Sequence, residues 1–327
     1  VVLIGIDKEG KWHLNDSSKY LLNENDPKLI KLNSSNENLG LIPGRNEQQL
    51  VNVSGYQSIG NVDVIFPVIH GTSGEDGSMQ GFLKLANIPF VGPGVLGSAV
   101  CMDKDFAKRL LKEAGIPTSK SLTFNRLTAA KVDYNHVKAE LGMPVFVKPA
   151  NSGSSVGVSK VNTPEQLIQA LKEALKYDTK VLVEEYIKGR EIECSVLGND
   201  NPIASIAGEV IAQHEFYSYD AKYIDESGAV LKIPSELPDG ILGKVQEMAV
   251  EAFKVLGCQG MARVDFFLKE NNELYINELN TIPGFTKISM YPKLWEASGI
   301  SYTQLIDRLI QLAIERHEIE NSLQTSI

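Results

Sequence analysis

The apolar positions fall into three patterns, and each predicts a different kind of element. Continuous Val- and Ile-rich runs come first. "VVLIGID" is strand-like from its first residue, and "VDVIFPVI" (62–69) has the pattern of a strand buried on both faces of a parallel sheet. That run enters "HGTSGEDGSMQGFLKLANIPFVG", a Gly-rich turn followed by a short helix and another apolar strand. One βαβ step is therefore predicted, and with it an α/β first domain. The polar, Asn-rich "LNENDPKLIKLNSSNENLG" between the two runs reads as surface loop and short elements.

Helical spacing is the second pattern. "DKDFAKRLLKEAGIPT" (103–118) sets Phe106, Leu110 and Leu111 on one stripe, with Gly115 at the C-terminal position and Pro117 beyond it, which predicts a helix opening a second domain. "TPEQLIQALKEALKY" and "GKVQEMAVEAFKVLG" read the same way. In "SYTQLIDRLIQLAIERHEI" the stripe Leu305, Ile306, Leu309, Leu312 and Ala313 predicts core packing, and only the last ten or so residues of the chain read as frayed. The third pattern is the short strand: "PVFVKPA", "SVGVSKV" and "KVLVEEYI", then the more antiparallel "REIECSVLG" and "IASIAGEVI", and last "ARVDFFLKENNELYINELN".

Composition narrows the function classes. At 327 residues and 35.9 kDa, two or three domains are expected. The net charge of -9, from 32 basic and 41 acidic residues without a basic tract, disfavours nucleic acid and acidic membranes as partners. An anionic ligand has to meet local lysines or arginines. Cys101, Cys194 and Cys258 lie far apart in apolar runs, as buried free thiols of a reducing compartment do. With no apolar run of membrane-spanning length and no signal peptide, the chain reads as cytoplasmic.

Taken as a hairpin turning at Asn271-Asn272, "ARVDFFLKENNELYINELN" pairs Asp265 with Glu278 and Arg263 with Asn280. Two carboxylates directly opposite each other repel. A hard divalent cation such as Mg²⁺, held by one or two carboxylates together with substrate phosphates, supplies a reason for the pairing. Asp265, Glu278 and Asn280 then form a partial oxygen shell. The alternative at this point is two acids facing solvent at a sheet edge.

"FVKPANSGSSVGVSK" (146–160) is not a P-loop, since Lys148 precedes the glycines and a strand follows them. Its Gly/Ser loop exposes backbone N–H groups able to close over an anion, although taken alone it reads rather as a flexible surface hairpin. Lys104 adds a second cation near a helix start. Glu184 and Glu191 bracket "EEYIKGRE" as acceptors for ribose hydroxyls, while Phe146, Tyr186, Ile187 and Phe267 are placed to sandwich a flat ring or to serve as ordinary core. Together the set describes a nucleoside triphosphate held between two domains.

The chain resembles the D-alanine:D-alanine ligases of the ATP-grasp superfamily over essentially its whole length. The resemblance is carried by "HGTSGEDGSMQG", "VGPGVLGSAVCMDK", "VFVKPANSGSSVGVSKV", "EEYIKGREIECSVLG", "FYSYDAKY", "GMARVDFF" and "NELNTIPGFTKISMYPKLW" in that order. It implies a three-domain α/β (α+β) architecture: an N-terminal α/β substrate domain (1–96), a central ATP-grasp subdomain (97–183) and a C-terminal catalytic domain (184–327). It further implies that ATP phosphorylates the carboxylate of one D-alanine and that the amine of a second attacks the acyl phosphate. A homodimer is the family-level expectation.

By the same resemblance Lys104 and Lys148 bind the α and β phosphates. Glu184, Glu185, Ile187 and Glu191, with Phe146 and Phe267, lie on the adenine and ribose side. Asp265, Glu278 and Asn280 hold two Mg²⁺ ions, or Mn²⁺. Arg263 and the Gly284 N–H stabilise the tetrahedral oxyanion. Glu75 and His70 face the first D-alanine, and Ser289 binds the carboxylate of the second beside Met290. "FYSYDAKYIDESG" resembles the family's mobile loop, with Lys222 reaching the γ-phosphate and Tyr223 hydrogen-bonding to Ser154.

The family's Tyr-bearing loop implies dipeptide rather than depsipeptide formation. D-serine or D-lactate as second substrate, and an ATP-binding relative with impaired turnover, are the alternatives. Two departures from the family pattern stand out. Glu185 occupies a position where some relatives carry lysine. Nothing matches the family's first strand and its Gly-rich loop with a glutamate, so that segment is expected either to precede the given sequence or to be absent.

Overall fold

The computed structural model of the protein describes residues 1–15, 21–22, 31–32, 38–45, 47–153, 155–212, 229–286 and 288–324. The first region forms β1 (Leu3–Ile6), β2 (Trp12–Asn15), β3 (Leu21–Leu22), β4 (Lys31–Leu32), β5 (Asn38–Leu41), β6 (Leu50–Asn52), β7 (Gln57–Gly60), α1 (Ser78–Leu85) and α2 (Val95–Met102). Its five-stranded sheet, in the order β1-β2-β5-β6-β7, is antiparallel throughout. The βαβ step predicted from 62–69 shrinks to one parallel bridge between Ile65 and Phe90. Two hydrogen bonds close it, from Ile65 N–H to Pro89 O (2.8 Å) and from Val91 N–H to Ile65 O (2.9 Å). The apolar run has a different cause: Val64 and Phe66 pack on a cluster around Val91, Tyr291 and Trp295, while Val68 is exposed.

The middle region forms α3 (Lys104–Glu113), β8 (Ser121–Asn125), α4 (Arg126–Ala129), α5 (Tyr134–Leu141), β9 (Val145–Pro149), β10 (Ser159–Val161), α6 (Pro164–Ala174) and β11 (Lys180–Glu185). Its sheet runs β10-β9-β11-β8, antiparallel, and packs Val145, Val147, Val181 and Val183 against Leu167 and Leu171 of α6. Gly115 sits just past α3 with φ +78°, the left-handed stop that the sequence pattern predicts.

The predicted stripe of α3 needs correction. Phe106 and Leu110 are 53% and 41% exposed, and the buried face is Lys104, Ala107, Lys108 and Leu111. The cap sets this rotation: Asp103 accepts from the N–H groups of Asp105 and Phe106, and Lys180 Nζ grips Asp103 at 2.6 Å while lying 4.4 Å from the centre of the Phe106 ring. The apolar side chain is covered by a cation outside, and the lysines turn inward.

The last region forms β12 (Arg190–Gly198), β13 (Ile203–Ala212), β14 (Ala229–Lys232), α7 (Ile241–Val255), β15 (Gly260–Leu268), β16 (Leu274–Asn280), α8 (Met290–Ala297) and α9 (Tyr302–Ser322). The antiparallel order is β14-β13-β12-β15-β16. Val245, Ala249 and Phe253 of α7 cover one face through Ile192, Cys194, Val264 and Phe266. This leaves the alternate residues of β12, β15 and β16 on the opposite face. Helix α9 stays helical to Ser322, past the expected fraying, and its buried Arg316 donates to the carbonyls of Phe90 and Gly92.

Candidate active site

The hairpin of β15 and β16 places Asp265 opposite Glu278 and Arg263 opposite Asn280, as the sequence predicts, but by a different route. The connection is a three-residue loop, closed by Asn272 N–H to Lys269 O and by Lys269 N–H to Glu273 O, with Asn272 at φ +66°. Near the loop the pairing is therefore one residue out of step with a two-residue turn: Leu268 faces Leu274 and Phe266 faces Ile276. A β-bulge between Asp265 and Phe266 then takes up Asn277 as an extra residue and restores the pairing at the acids. The spacing of Leu274, Ile276 and Leu279, two residues and then three, was the sequence signal for it. All three are buried on the α7 side, while Asn277, Glu278 and Asn280 lie on the other.

On that face a third acid joins the row. Glu193 of β12 pairs with Asp265, so Glu193, Asp265 and Glu278 stand side by side on adjacent strands. Such a row of like charges is stable only with cations between its members. Arg263 forks onto Asp265 through Nε and Nη2 (2.7 and 2.8 Å), and its Nε lies 2.9 Å from Glu193 Oε2. Lys104 Nζ lies 3.3 Å from Glu278 Oε2 and donates to Ser152 O of the Gly/Ser loop at 2.7 Å. Asn280 Nδ2 donates to Asp265 Oδ2 at 2.9 Å. Burial works against the Arg263 charge, yet Asp265 and Glu193 outweigh it and raise its pKa above even the usual arginine range. Sequence reasoning missed Glu193, although Glu191 and Glu193 alternate with Ile192 and Cys194 in the pattern that flagged Glu278 and Asn280.

A second buried charge cluster lies in the middle region. Lys148 Nζ is 2.7 Å from Glu184 Oε2, Lys108 Nζ is 3.3 Å from Glu184 Oε1, and Ser119 Oγ accepts from Lys108 (2.7 Å) and donates to Glu184 Oε2 (3.3 Å). Burial alone raises the pKa of Glu184, but the two ammonium groups overcome it and hold the carboxylate below its ordinary range. Glu184 is thus ion-paired on both carboxylate oxygens in the ligand-free chain. Around it, Phe146 lies opposite Glu184 on β9 and 5.9 Å from the Tyr186 ring, and Glu191 lies opposite Phe267. Ile187 is buried, and Glu185 Oε1 accepts from Lys120 N–H at 2.7 Å.

The strand break after β16 is held from the first region. His70 Nδ1 lies 3.0 Å from Ile282 O, which places the proton on Nδ1, and Glu75 accepts from Ile282 N–H (3.3 Å) and Gly71 N–H (2.5 Å). Burial raises the Glu75 pKa, with Gly71 N–H and His70 opposing it. Both backbone groups of Ile282 are therefore fixed, two residues before Gly284. A Cβ at Gly284 would meet Ser289 Oγ at 2.8 Å, so the glycine permits this close approach. The Ser289 hydroxyl bonds to Thr286 (Oγ1 at 2.8 Å, N–H at 3.0 Å) at the start of α8. Met290, next to Ser289 in the chain, packs its side chain with Val210 and Leu294. Ser154, Lys222 and Tyr223 lie outside the described residues.

The donor chemistry fits a hard cation: two carboxylates and an amide oxygen on one face, with protein cations now balancing the acids. Among the described residues no three His, Cys, Asp or Glu side chains form a closed metal cage. An open set of this kind is what Mg²⁺ uses when phosphates complete its shell.

The family description "D-ala D-ala ligase N-terminus" matches residues 1–93 and "D-ala D-ala ligase C-terminus" matches 110–311. The D-alanine--D-alanine ligase of Oceanobacillus iheyensis is 56% identical over 326 residues, covering 100% of this chain and 89% of that protein. D-alanine--D-alanine ligase A of Escherichia coli K12 is 55% identical, covering 100% and 90%. Among solved structures, the D-alanine-D-alanine ligase from Coxiella burnetii superposes with a TM-score of 0.83 at 38% identity, over 98% of this chain and 86% of that one. The VanG D-Ala:D-Ser ligase from Enterococcus faecalis gives 0.82 at 38% identity (95% and 89%). The Bacillus anthracis D-alanine--D-alanine ligase complexed with ATP gives 0.68 at 31% identity (79% and 81%). With similarity running the whole length of the sequence and the fold alike, the chain belongs to the D-alanine–D-alanine ligase family, with the ATP-grasp fold.

Proposed function

We propose that this protein is an ADP-forming D-alanine:D-alanine ligase, making D-alanyl-D-alanine for peptidoglycan in the cytoplasm. The observation that carries the reading is the acid row on the C-terminal sheet, compensated by Arg263 and by Lys104, which also touches the Gly/Ser loop. Phosphate oxygens and cations entering between these sheets exchange directly for the groups already paired there.

In this reading Lys104 and Lys148 bind the phosphates, and Phe146, Tyr186, Ile187, Phe267, Glu184 and Glu191 surround adenine and ribose. Asp265, Glu278 and Asn280 hold two Mg²⁺ ions, which when bound supply charge neutralisation at the phosphates. The γ-phosphoryl group passes to the carboxylate of the first D-alanine, giving an acyl phosphate and ADP. The amine of the second D-alanine attacks the acyl carbon, phosphate leaves, and the amine loses its proton. Arg263 and Gly284 N–H face the oxyanion of that tetrahedral stage. His70 and Glu75 set the Ile282-Pro283-Gly284 turn, and Ser289 at the start of α8 receives the second carboxylate.

Three domains divide this work, at 1–96, 97–183 and 184–327, with the last boundary better set after Glu185, where β11 ends. Among the described residues no helix is long and apolar enough to cross a membrane. A homodimer is the assembly expected in solution, and light scattering measures it. D-serine is the second reading for the acceptor, favoured by the similarity to the VanG D-Ala:D-Ser ligase. ADP release from the purified protein with Mg²⁺, ATP and either D-alanine, D-serine or D-lactate tests both. D-alanine is expected to give the highest kcat/KM. A preference for D-serine or D-lactate overturns the dipeptide assignment, and ATP-induced stabilisation without D-alanine-dependent ADP release overturns the enzymatic one.

A further inference from the structure

Lys108 is a buried basic side chain with no part in the reaction just described; burial lowers its pKa and the adjacent Glu184 opposes that shift. It lies one helical turn after Lys104 on the inward face of α3, at 5% exposure. Its Nζ donates to Ser119 Oγ at 2.7 Å and lies 3.3 Å from Glu184 Oε1. Lys148 holds the other oxygen of the same carboxylate at 2.7 Å. Two ammonium groups thus share one buried carboxylate. Either of them can leave it without stranding the carboxylate uncompensated.

The two lysines are placed differently. Lys148 is the penultimate residue of β9, close before the Gly/Ser loop, whose Ser152 carbonyl already contacts Lys104. Lys108 is fixed to Ser119 and Glu184 from the helix side. Were Glu184 paired with Lys148 alone, moving Lys148 to a phosphate would strand an ionised carboxylate at 4% exposure without a counter-ion.

We propose that Lys108 is a positioning residue for nucleotide binding: as the standing counter-ion of Glu184, it leaves Lys148 free to exchange that carboxylate for a phosphate oxygen. The inference rests on the nucleotide site assigned under the proposed function. It makes a demand that a purely structural role does not, because Lys108 acts only through Glu184. Neutralising Glu184 therefore removes the need for Lys108.

The test is calorimetric titration of the purified protein with Mg²⁺ and AMP-PNP, a non-hydrolysable ATP analogue, using Lys108→Met, Glu184→Gln, the double variant and Ser119→Ala. Lys108→Met is expected to weaken binding by about tenfold or more, and Ser119→Ala, which frees the Lys108 ammonium from its anchor, by about threefold. The double variant is expected to bind no more weakly than Glu184→Gln alone, a non-additivity that a double-mutant cycle resolves. In steady state Lys108→Met raises the ATP KM and leaves kcat near the parent value.

Losses that multiply in the double variant overturn the role of Lys108, as does Lys108→Met binding like the parent. A parent protein that fails to bind AMP-PNP overturns the nucleotide site itself, which separates the two failures. If circular dichroism shows Lys108→Met unfolded, Ser119→Ala and Ser119→Ala/Glu184→Gln carry the same comparison, with the same overturning result.

Discussion

Glu75 connects the Gly-rich turn of the first region to the strand break of the last, and its removal can be worked through from the contacts it makes. The carboxylate accepts from two backbone N–H groups, Gly71 at 2.5 Å and Ile282 at 3.3 Å. A hydrogen bond to a charged acceptor contributes roughly 1.5–3 kcal/mol. Glu75 is half-buried and the Ile282 bond is long, so the low end applies to each. Glu75→Ala therefore forfeits about 3 kcal/mol of hydrogen bonding, and relief of the buried charge returns part of it, for a net cost of about 2–3 kcal/mol.

Glu75→Gln keeps one acceptor oxygen but turns its amide towards the second N–H, so one neutral bond of about 1 kcal/mol survives. Relief of the buried charge, which raises the Glu75 pKa in the folded protein, offsets part of the remaining loss. The net expectation is about 1–2 kcal/mol. The sign of the pH dependence follows from that raised pKa. The stabilising contribution of the protonated group is present below the ordinary carboxylate value and is lost as pH rises through the folded value, and Glu75→Gln removes this slope.

Urea unfolding with unchanged m measures both variants. Glu75→Ala within about 0.5 kcal/mol of the parent, or Glu75→Gln costing more than Glu75→Ala, refutes the reasoning. Ile282 lies two residues from Gly284, so the same substitution is expected to raise the KM for D-alanine more than that for ATP.

Three further outcomes are expected. Glu193→Gln removes one of the two carboxylates flanking Arg263, and is expected to lower kcat about tenfold or more while Mg²⁺·AMP-PNP binding stays within about threefold; equal losses in both would place Glu193 in nucleotide binding instead. Gly97→Ala gains up to about 1 kcal/mol of helix propensity, but its Cβ would lie 2.5 Å from Gly257 O, so a net destabilisation of about 1–3 kcal/mol is expected, and a rise in Tm would contradict that close approach. Arg190 forks onto Glu209 at 2.8 and 2.6 Å and lowers its pKa, so the stability this pair adds is present above the ordinary carboxylate range and is lost as pH falls through the folded value. Glu209→Gln should therefore flatten the acid limb of stability against pH, and an unchanged limb counts against the pair.

What the sequence made legible depends on how local the governing physics is. The stop of α3 at Gly115 is a property of a few neighbouring residues, and it stands where the pattern puts it. The rotation of α3 is not local. Its Phe106 and Leu110 look like core on any hydrophobic scale, but Lys180, contributed from β11, caps Asp103 and covers Phe106, and the lysines turn inward to Glu184 and Glu278. A functional site here overrides the binary pattern. The run at 62–69 misleads for a related reason, because Val64 and Phe66 pack on a cluster built largely from the last region, Phe66 against Phe285, rather than in a parallel sheet.

The hairpin shows that a correct pairing can rest on an incorrect turn. A two-residue turn at Asn271-Asn272 and an unbroken ladder bring Asp265 against Glu278. So do the three-residue loop and the bulge at Asn277 that the protein uses, since one extra residue in each place leaves the acids in the same relation. The two arrangements differ in what they do to the strand. A bulge adds local twist and re-aims the side chains beside it, and it places Asn277 and Glu278 consecutively on the site face while Leu279 returns to the core. Deleting Asn277 keeps the alternation of buried and site-facing residues on both sides, so the fold tolerates it on this argument. Packing alone does not require the bulge, and the acid beside it, Glu278, lies 3.3 Å from Lys104 Nζ.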